Sequence, residues 1–147
     1  MIILDANGLI YCLNHSKPFP GLEFIVSDEL RDEFETALVV NGGRKIKLRD
    51  ISELPNYSEA YYLNEYAHYL NTFSGVDLSC MRGVTDVTIL AMVSSILNQF
   101  GSDQQTQLDL GDANETTVTV ITNDGDLKKR LTRDHEKLVR IIDPLTL

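Results

Sequence analysis

The sequence predicts an α/β fold: a parallel sheet with helices on both faces. Short apolar runs alternate with longer stretches of helical periodicity, the pattern of repeated strand–helix–strand units. The 147 residues show no internal repeat and no linker, so they form one domain, large enough for a substantial core.

Each element is readable in turn. Residues 1–5 are a short buried strand in which Ile2, Ile3 and Leu4 run into Asp5, and a helix follows through about Leu13. "HSKPFPG" is a loop, broken by two prolines and a glycine. "EFIVS" is the second strand. Ser27 then caps the helix "DELRDEFETALVV", which stops before Asn41-Gly42-Gly43. "RKIKLRDI" alternates charge with Ile46 and Leu48, as a half-exposed strand does.

The stretch "SEAYYLNEYAHYLNTF" is a helix ended by Gly75. Its Tyr62, Tyr66, Tyr69 and Phe73 recur at helical spacing and read as core or a subunit interface before a base-stacking platform. "VTDVTILAMVSSILNQF" is the most periodic helix. It buries Ile89, Leu90, Val93, Ile96, Leu97 and Phe100 and turns Thr88, Ser95 and Gln99 away. Residues 101–116 are polar and aperiodic and are expected to form a loop, the one excursion from the compact domain spanning 1–147. "TTVTVIT" is the fourth strand, "DLKKRLTRDHEKL" a helix and "VRIID" the fifth strand.

Composition narrows the function classes. The net charge of -9 argues against a protein that coats DNA or membranes with a basic surface. It leaves a nuclease open, because bound divalent cations invert the local field. Cys12 and Cys80 have neither metal-ligand nor disulfide spacing and read as small buried residues. No signal peptide or membrane-spanning run is visible, so a soluble cytoplasmic protein is expected. There is no Gly-rich phosphate loop and no serine or cysteine nucleophile arrangement, and His15, His68 and His135 stand apart from the acids discussed next.

The acidic residues carry the chemistry. In an open parallel sheet, ligands bind beyond the carboxyl ends of the strands, where strand order reverses. Asp5 ends the first strand, and Asp124 and Asp126 in "TNDGD" follow the fourth, so two strands bring acids to one rim. In the helix after the second strand, Leu30, Phe34, Ala37 and Leu38 define the buried stripe, and Glu33 alone of the acids sits at its border. Asp86 falls on the apolar seam with Leu90, Val93 and Leu97, where an ionised group is costly without a partner.

Each acid has a plainer reading. Asp5 or Asp126 can cap a helix, Glu33 can be a solvated boundary residue, and Asp86 can favour its helix dipole. Their convergence favours a metal site. Clustered carboxylates repel one another, and a hard cation such as Mg²⁺, which needs only a few carboxylates plus waters, relieves that repulsion.

In this order the segments "LDAN" (Asp5, Asn7), "SDELRDEF" (Ser27, Leu30, Glu33), "TDVTILAM" (Asp86) and "ITNDGDL" (Thr122, Asp124, Asp126) resemble the PIN domain family of metal-dependent nucleases. The resemblance spans nearly the whole chain. It implies a three-layer α/β/α sandwich with the parallel sheet in the order 3-2-1-4-5. It also implies Mg²⁺ or Mn²⁺, cleavage of phosphodiesters mostly in RNA, and products with a 5′-phosphate and a 3′-hydroxyl. Small members are often the toxin of a toxin–antitoxin pair, so a cognate antitoxin and a homodimer are expected partners besides the RNA substrate.

On this reading Asp5, Glu33, Asp86 and Asp124 are the catalytic carboxylates that hold one or two metal ions. Asp126 is a further ligand or a water-orienting group, and Asn7 and Thr122 fix the carboxylates by hydrogen bonds. Candidate phosphate contacts are Arg82, the basic run Arg44, Lys45, Lys47 and Arg49, and the run Lys128, Lys129, Arg130 and Arg133, though solvated faces have the same composition. Two alternatives stay open. A Mg²⁺-dependent phosphatase or phosphotransferase fits the sheet, but Asn7 stands where an Asp-x-Asp motif needs its second acid. A non-cleaving PIN-like module that binds RNA or protein fits the fold, but the full set of acids argues for chemistry.

Overall fold

A computed structural model describes residues 1–15, 22–40, 45–80, 82–107 and 118–146. The first half of the chain runs β1 (Ile2–Leu4), α1 (Ala6–Asn14), β2 (Glu23–Val26), α2 (Asp28–Val40) and β3 (Lys47–Asp50). Then come α3 (Glu59–Thr72), α4 (Val84–Gln107), β4 (Val118–Ile121), α5 (Gly125–His135) and β5 (Val139–Ile142), with short 3-10 turns at Ile51–Glu53 and Pro144–Thr146. The five strands are parallel and lie in the order β3-β2-β1-β4-β5.

Successive side chains of a strand face opposite sides of the sheet. Ile3 and Leu4 of β1, Phe24, Ile25 and Val26 of β2, and Val120 and Ile121 of β4 are all buried, so helices cover both faces. The edge strands β3 and β5 are only half-buried. Ser27 caps α2 as its sequence suggests, its Oγ accepting the Leu30 N–H at 3.3 Å.

Four sequence expectations need correction. Helix α4 continues through Gln107, so 101–107 is helical and not a loop; extending a formed helix costs less than nucleating one, and glutamine tolerates the helix well. Residues 108–116 of the expected loop, and most of the loop at 15–21 and the turn at 41–43, lie outside the described residues. Second, Thr88, Ser95 and Gln99 are buried, because α4 is enclosed by α3 on one side and by α2, α5 and β4 on others. Third, Cys80 is exposed in the segment after α3, whereas Cys12 is buried. Fourth, α3 ends at Thr72 with Phe73 as its C-cap, two residues before Gly75.

Tyr62, Tyr69 and Phe73 are buried and Tyr66 packs against them, so this stripe is core. The Tyr69 hydroxyl lies 3.1 Å from Ser94 Oγ, which lies 3.3 Å from His135 Nε2, joining α3, α4 and α5. Burial pulls the His135 pKa down. Among the described residues, no helix is long and apolar enough to cross a membrane.

Candidate metal centre

Strand order reverses between β1 and β4, and the residues that follow these two neighbours form the floor of the site. Asp5 occupies the N-cap position of α1, yet its side chain closes no capping hydrogen bond. Its Oδ2 instead accepts from Thr122 Oγ1 at 2.9 Å, and the same Thr122 oxygen accepts the Asp124 N–H at 3.0 Å. The threonine thus fixes both acids at once, one by its proton and one by its lone pair. Asp5 is 2% exposed. Burial raises its pKa, the Thr122 hydroxyl and the nearby Asn7 N–H oppose that rise, and the charges of Asp124 and Glu33 add to it.

Asp124, not Asp126, is the N-cap of α5: its Oδ1 accepts the Leu127 N–H at 2.7 Å. Asp126 sits in the first turn of that helix, exposed. Glu33 reaches in from α2 and accepts a hydrogen bond from the Thr85 hydroxyl in the first turn of α4. Asp86 follows Thr85 and is half-buried. Its pKa is pushed up to about 7, first by burial and then by the charges of Asp124, Asp5, Glu33 and Asp126. The five acids are therefore electrostatic neighbours.

Asp5, Glu33, Asp86, Asp124 and Asp126 line one pocket of about 360 Å³, together with Asn7, Thr85 and Arg82. Among the described residues no three carboxylate, imidazole or thiol groups close into a metal cage. The acids ring the pocket with room between them. Mg²⁺ suits such a ring, because it keeps several waters and takes only one or two direct carboxylates. The donors are all hard oxygens, and the near-complete burial of Asp5 with one side-chain partner leaves it short of compensating charge. The residues fit a divalent metal.

Not every candidate reaches this rim. Lys45 precedes β3 and so lies at the amino ends of the strands, away from the acids. Lys128 is held by Asp143 at 2.8 Å. Arg44 lies outside the described residues. Arg82 does line the pocket, its backbone pinned to Asp77 by two 2.9 Å hydrogen bonds. Sequence reasoning missed Thr85; its only signal was its place beside Asp86 in a first helical turn.

Gly83 makes this corner possible. Its φ is +78°, and a Cβ there would overlap the Gly75 carbonyl oxygen, while its own carbonyl accepts the Val87 N–H at 3.1 Å. Gly83→Ala is expected to destabilise the fold by at least about 2 kcal/mol, from left-handed strain plus a backbone clash. An unchanged melting temperature would show that the α4 entry does not depend on this contact.

No family model, curated protein or solved structure matches the chain.

Proposed function

We propose that the chain is a Mg²⁺- or Mn²⁺-dependent nuclease that hydrolyses RNA phosphodiesters, as its resemblance to the PIN domain family implies. The observation that carries this reading is five carboxylates from four parts of the chain around one pocket, where burial and the neighbouring charges push the Asp86 pKa up to about 7. Such an arrangement is costly to fold and acquires a use when a cation neutralises it.

Asp5, Glu33, Asp86 and Asp124 would hold the metal, one or two of them directly and the others through its waters. When bound, it would lower the pKa of water and offset charge on the phosphoryl oxygens. The chain's own residues do the positioning. Thr122 keeps the Asp5 carboxylate and the Asp124 backbone in fixed relation, and Thr85 does the same for Glu33. Asp126, exposed on the rim, would serve as a further ligand or orient the attacking water. Asn7 supports Asp5 through its backbone N–H, and Arg82 borders the same pocket, offering a guanidinium to phosphate oxygens.

Incubation of the purified protein with total RNA tests this directly. Cleavage is expected with Mg²⁺ or Mn²⁺, to vanish with a chelator, and to leave 5′-phosphate ends. RNA that stays intact with either metal, while a chromogenic phosphate monoester is hydrolysed, would replace this reading with a phosphatase.

A further inference from the structure

An acidic protein that acts on a polyanion needs a local positive surface, and several cations here are already engaged. Arg31 faces Asp50 at 3.6 Å and Lys128 is held by Asp143 at 2.8 Å. Arg130 is buried: its Nε donates to Asp134 at 2.7 Å, its two terminal nitrogens donate to the Thr72 carbonyl and hydroxyl, and its guanidinium lies 5.0 Å from the Tyr69 ring centre. It ties the end of α3 to α5.

Lys129 and Arg133 are different. They stand four residues apart on α5 and so share one side of the helix. Lys129 is exposed and forms no ion pair among the described residues. Arg133 is 69% exposed and touches Asp134 at 3.3 Å, but that carboxylate is already held by Arg130. With Arg130 and Ser74 they wall a cavity of about 200 Å³, in which three cations accompany the carboxylate of Asp126. Asp126 is also a wall of the acid pocket, so the two cavities are adjacent.

We propose that the cavity walled by Lys129, Arg133 and Ser74 binds a backbone phosphate of the same strand whose scissile phosphodiester enters the acid pocket. This inference rests on the nuclease reading and adds the direction of the strand: from the β1–β4 rim, past Asp126, along α5 toward the end of α3. Lys129 supplies a mobile point charge, Arg133 a planar fork for two phosphate oxygens, and Ser74 a hydroxyl donor. Arg130, locked on Tyr69 and Thr72, is a positioning residue that holds the cavity floor.

The test uses the double variant Lys129→Ala/Arg133→Ala, with Lys128→Ala as the control whose charge is engaged elsewhere. Binding of a short 5′-hydroxyl oligoribonucleotide is measured in an Asp5→Asn background, so that the strand is not cut. The double variant is expected to lose roughly tenfold or more in affinity, and its log–log salt slope to flatten by about 0.7 for the one single-strand phosphate no longer neutralised. KM for RNA should rise similarly, while turnover of bis-para-nitrophenyl phosphate, which has no second phosphate, stays within about twofold of wild type. Unchanged RNA affinity and salt slope would overturn the subsite and leave the nuclease reading standing. Wild-type protein that cleaves neither substrate with metal would remove the nuclease reading, and the salt slope of binding alone would then decide for or against the phosphate site.

Discussion

Asp5→Asn is expected to lower metal-dependent RNA cleavage by at least about a hundredfold and, at the same time, to stabilise the metal-free protein at neutral pH. Both effects have one cause. Asp5 is 2% exposed, and burial raises its pKa, so its ionised form is disfavoured in the folded state relative to the unfolded chain. An acid shifted upward contributes no penalty below its unfolded pKa, since both states are then protonated. The penalty grows as pH rises through the interval between the two values and persists above it. Asparagine matches the shape and can still accept the Thr122 hydroxyl, so the contact at 2.9 Å survives without the charge. Thermal unfolding should therefore show a higher melting temperature for the variant near neutral pH and convergence with wild type at about pH 3.5. Saturating Mg²⁺ should raise the wild-type melting temperature more than that of the variant. Full cleavage by Asp5→Asn would remove Asp5 from the metal site; loss of stability at neutral pH would mean that its role is structural.

How much of this was legible follows from the range of the forces involved. Asp5 was readable because an uninterrupted apolar run ending in an acid is a local signal, and a parallel sheet places that signal at its carboxyl edge. Glu33 was readable from one helix's stripe. The burial of Thr88, Ser95 and Gln99 was not, because periodicity identifies the face a helix turns to the sheet but not a second helix covering its back. The cap of α5 was ambiguous for a local reason. "NDGD" offers two acids two residues apart, and a tertiary link, Thr122 between Asp5 and the Asp124 N–H, goes with Asp124 at the cap. The split within "LKKRLTRD" was legible in principle. Leu127, Arg130 and Leu131 form the buried stripe, leaving Lys129 and Arg133 outside it. Which lysine had a carboxylate partner was not, since Asp143 lies beyond the last strand.

Asp86 should make the stability of the metal-free protein fall as pH rises from about 4 to about 7, the reverse of the usual acid denaturation. Its folded pKa of about 7 lies above the ordinary 3.8. Between these values the folded state retains a proton that the unfolded chain has released, so raising the pH favours unfolding. Each pH step of one across that interval changes stability by up to about 1.4 kcal/mol, which bounds the total loss at about 4 kcal/mol. Solvent screening at this half-buried site makes the realised loss smaller. The proton belongs to the cluster more than to Asp86 alone, because Asp5 is shifted upward beside it; the pair is therefore expected to titrate in separate macroscopic steps, the last near neutrality. Metal binding needs the carboxylates ionised, so Mg²⁺ should stabilise strongly at about pH 8 and hardly at all below about pH 6. Cleavage should rise over the same interval. Asp86→Asn removes one of the coupled groups that titrate: its metal-free stability should become flatter between about pH 4 and 7, and the Mg²⁺ effect should weaken at every pH. Urea unfolding at a series of pH values, with chelator and with excess Mg²⁺, reads all of these quantities. Because the lowered pKa of His135 makes stability rise over part of this interval, the Asp86 contribution is read as the difference between wild type and Asp86→Asn. Profiles that run parallel from about pH 4 to 7 without metal would show that Asp86 is an ordinary ionised carboxylate, and the crowded acids would no longer call for a bound cation.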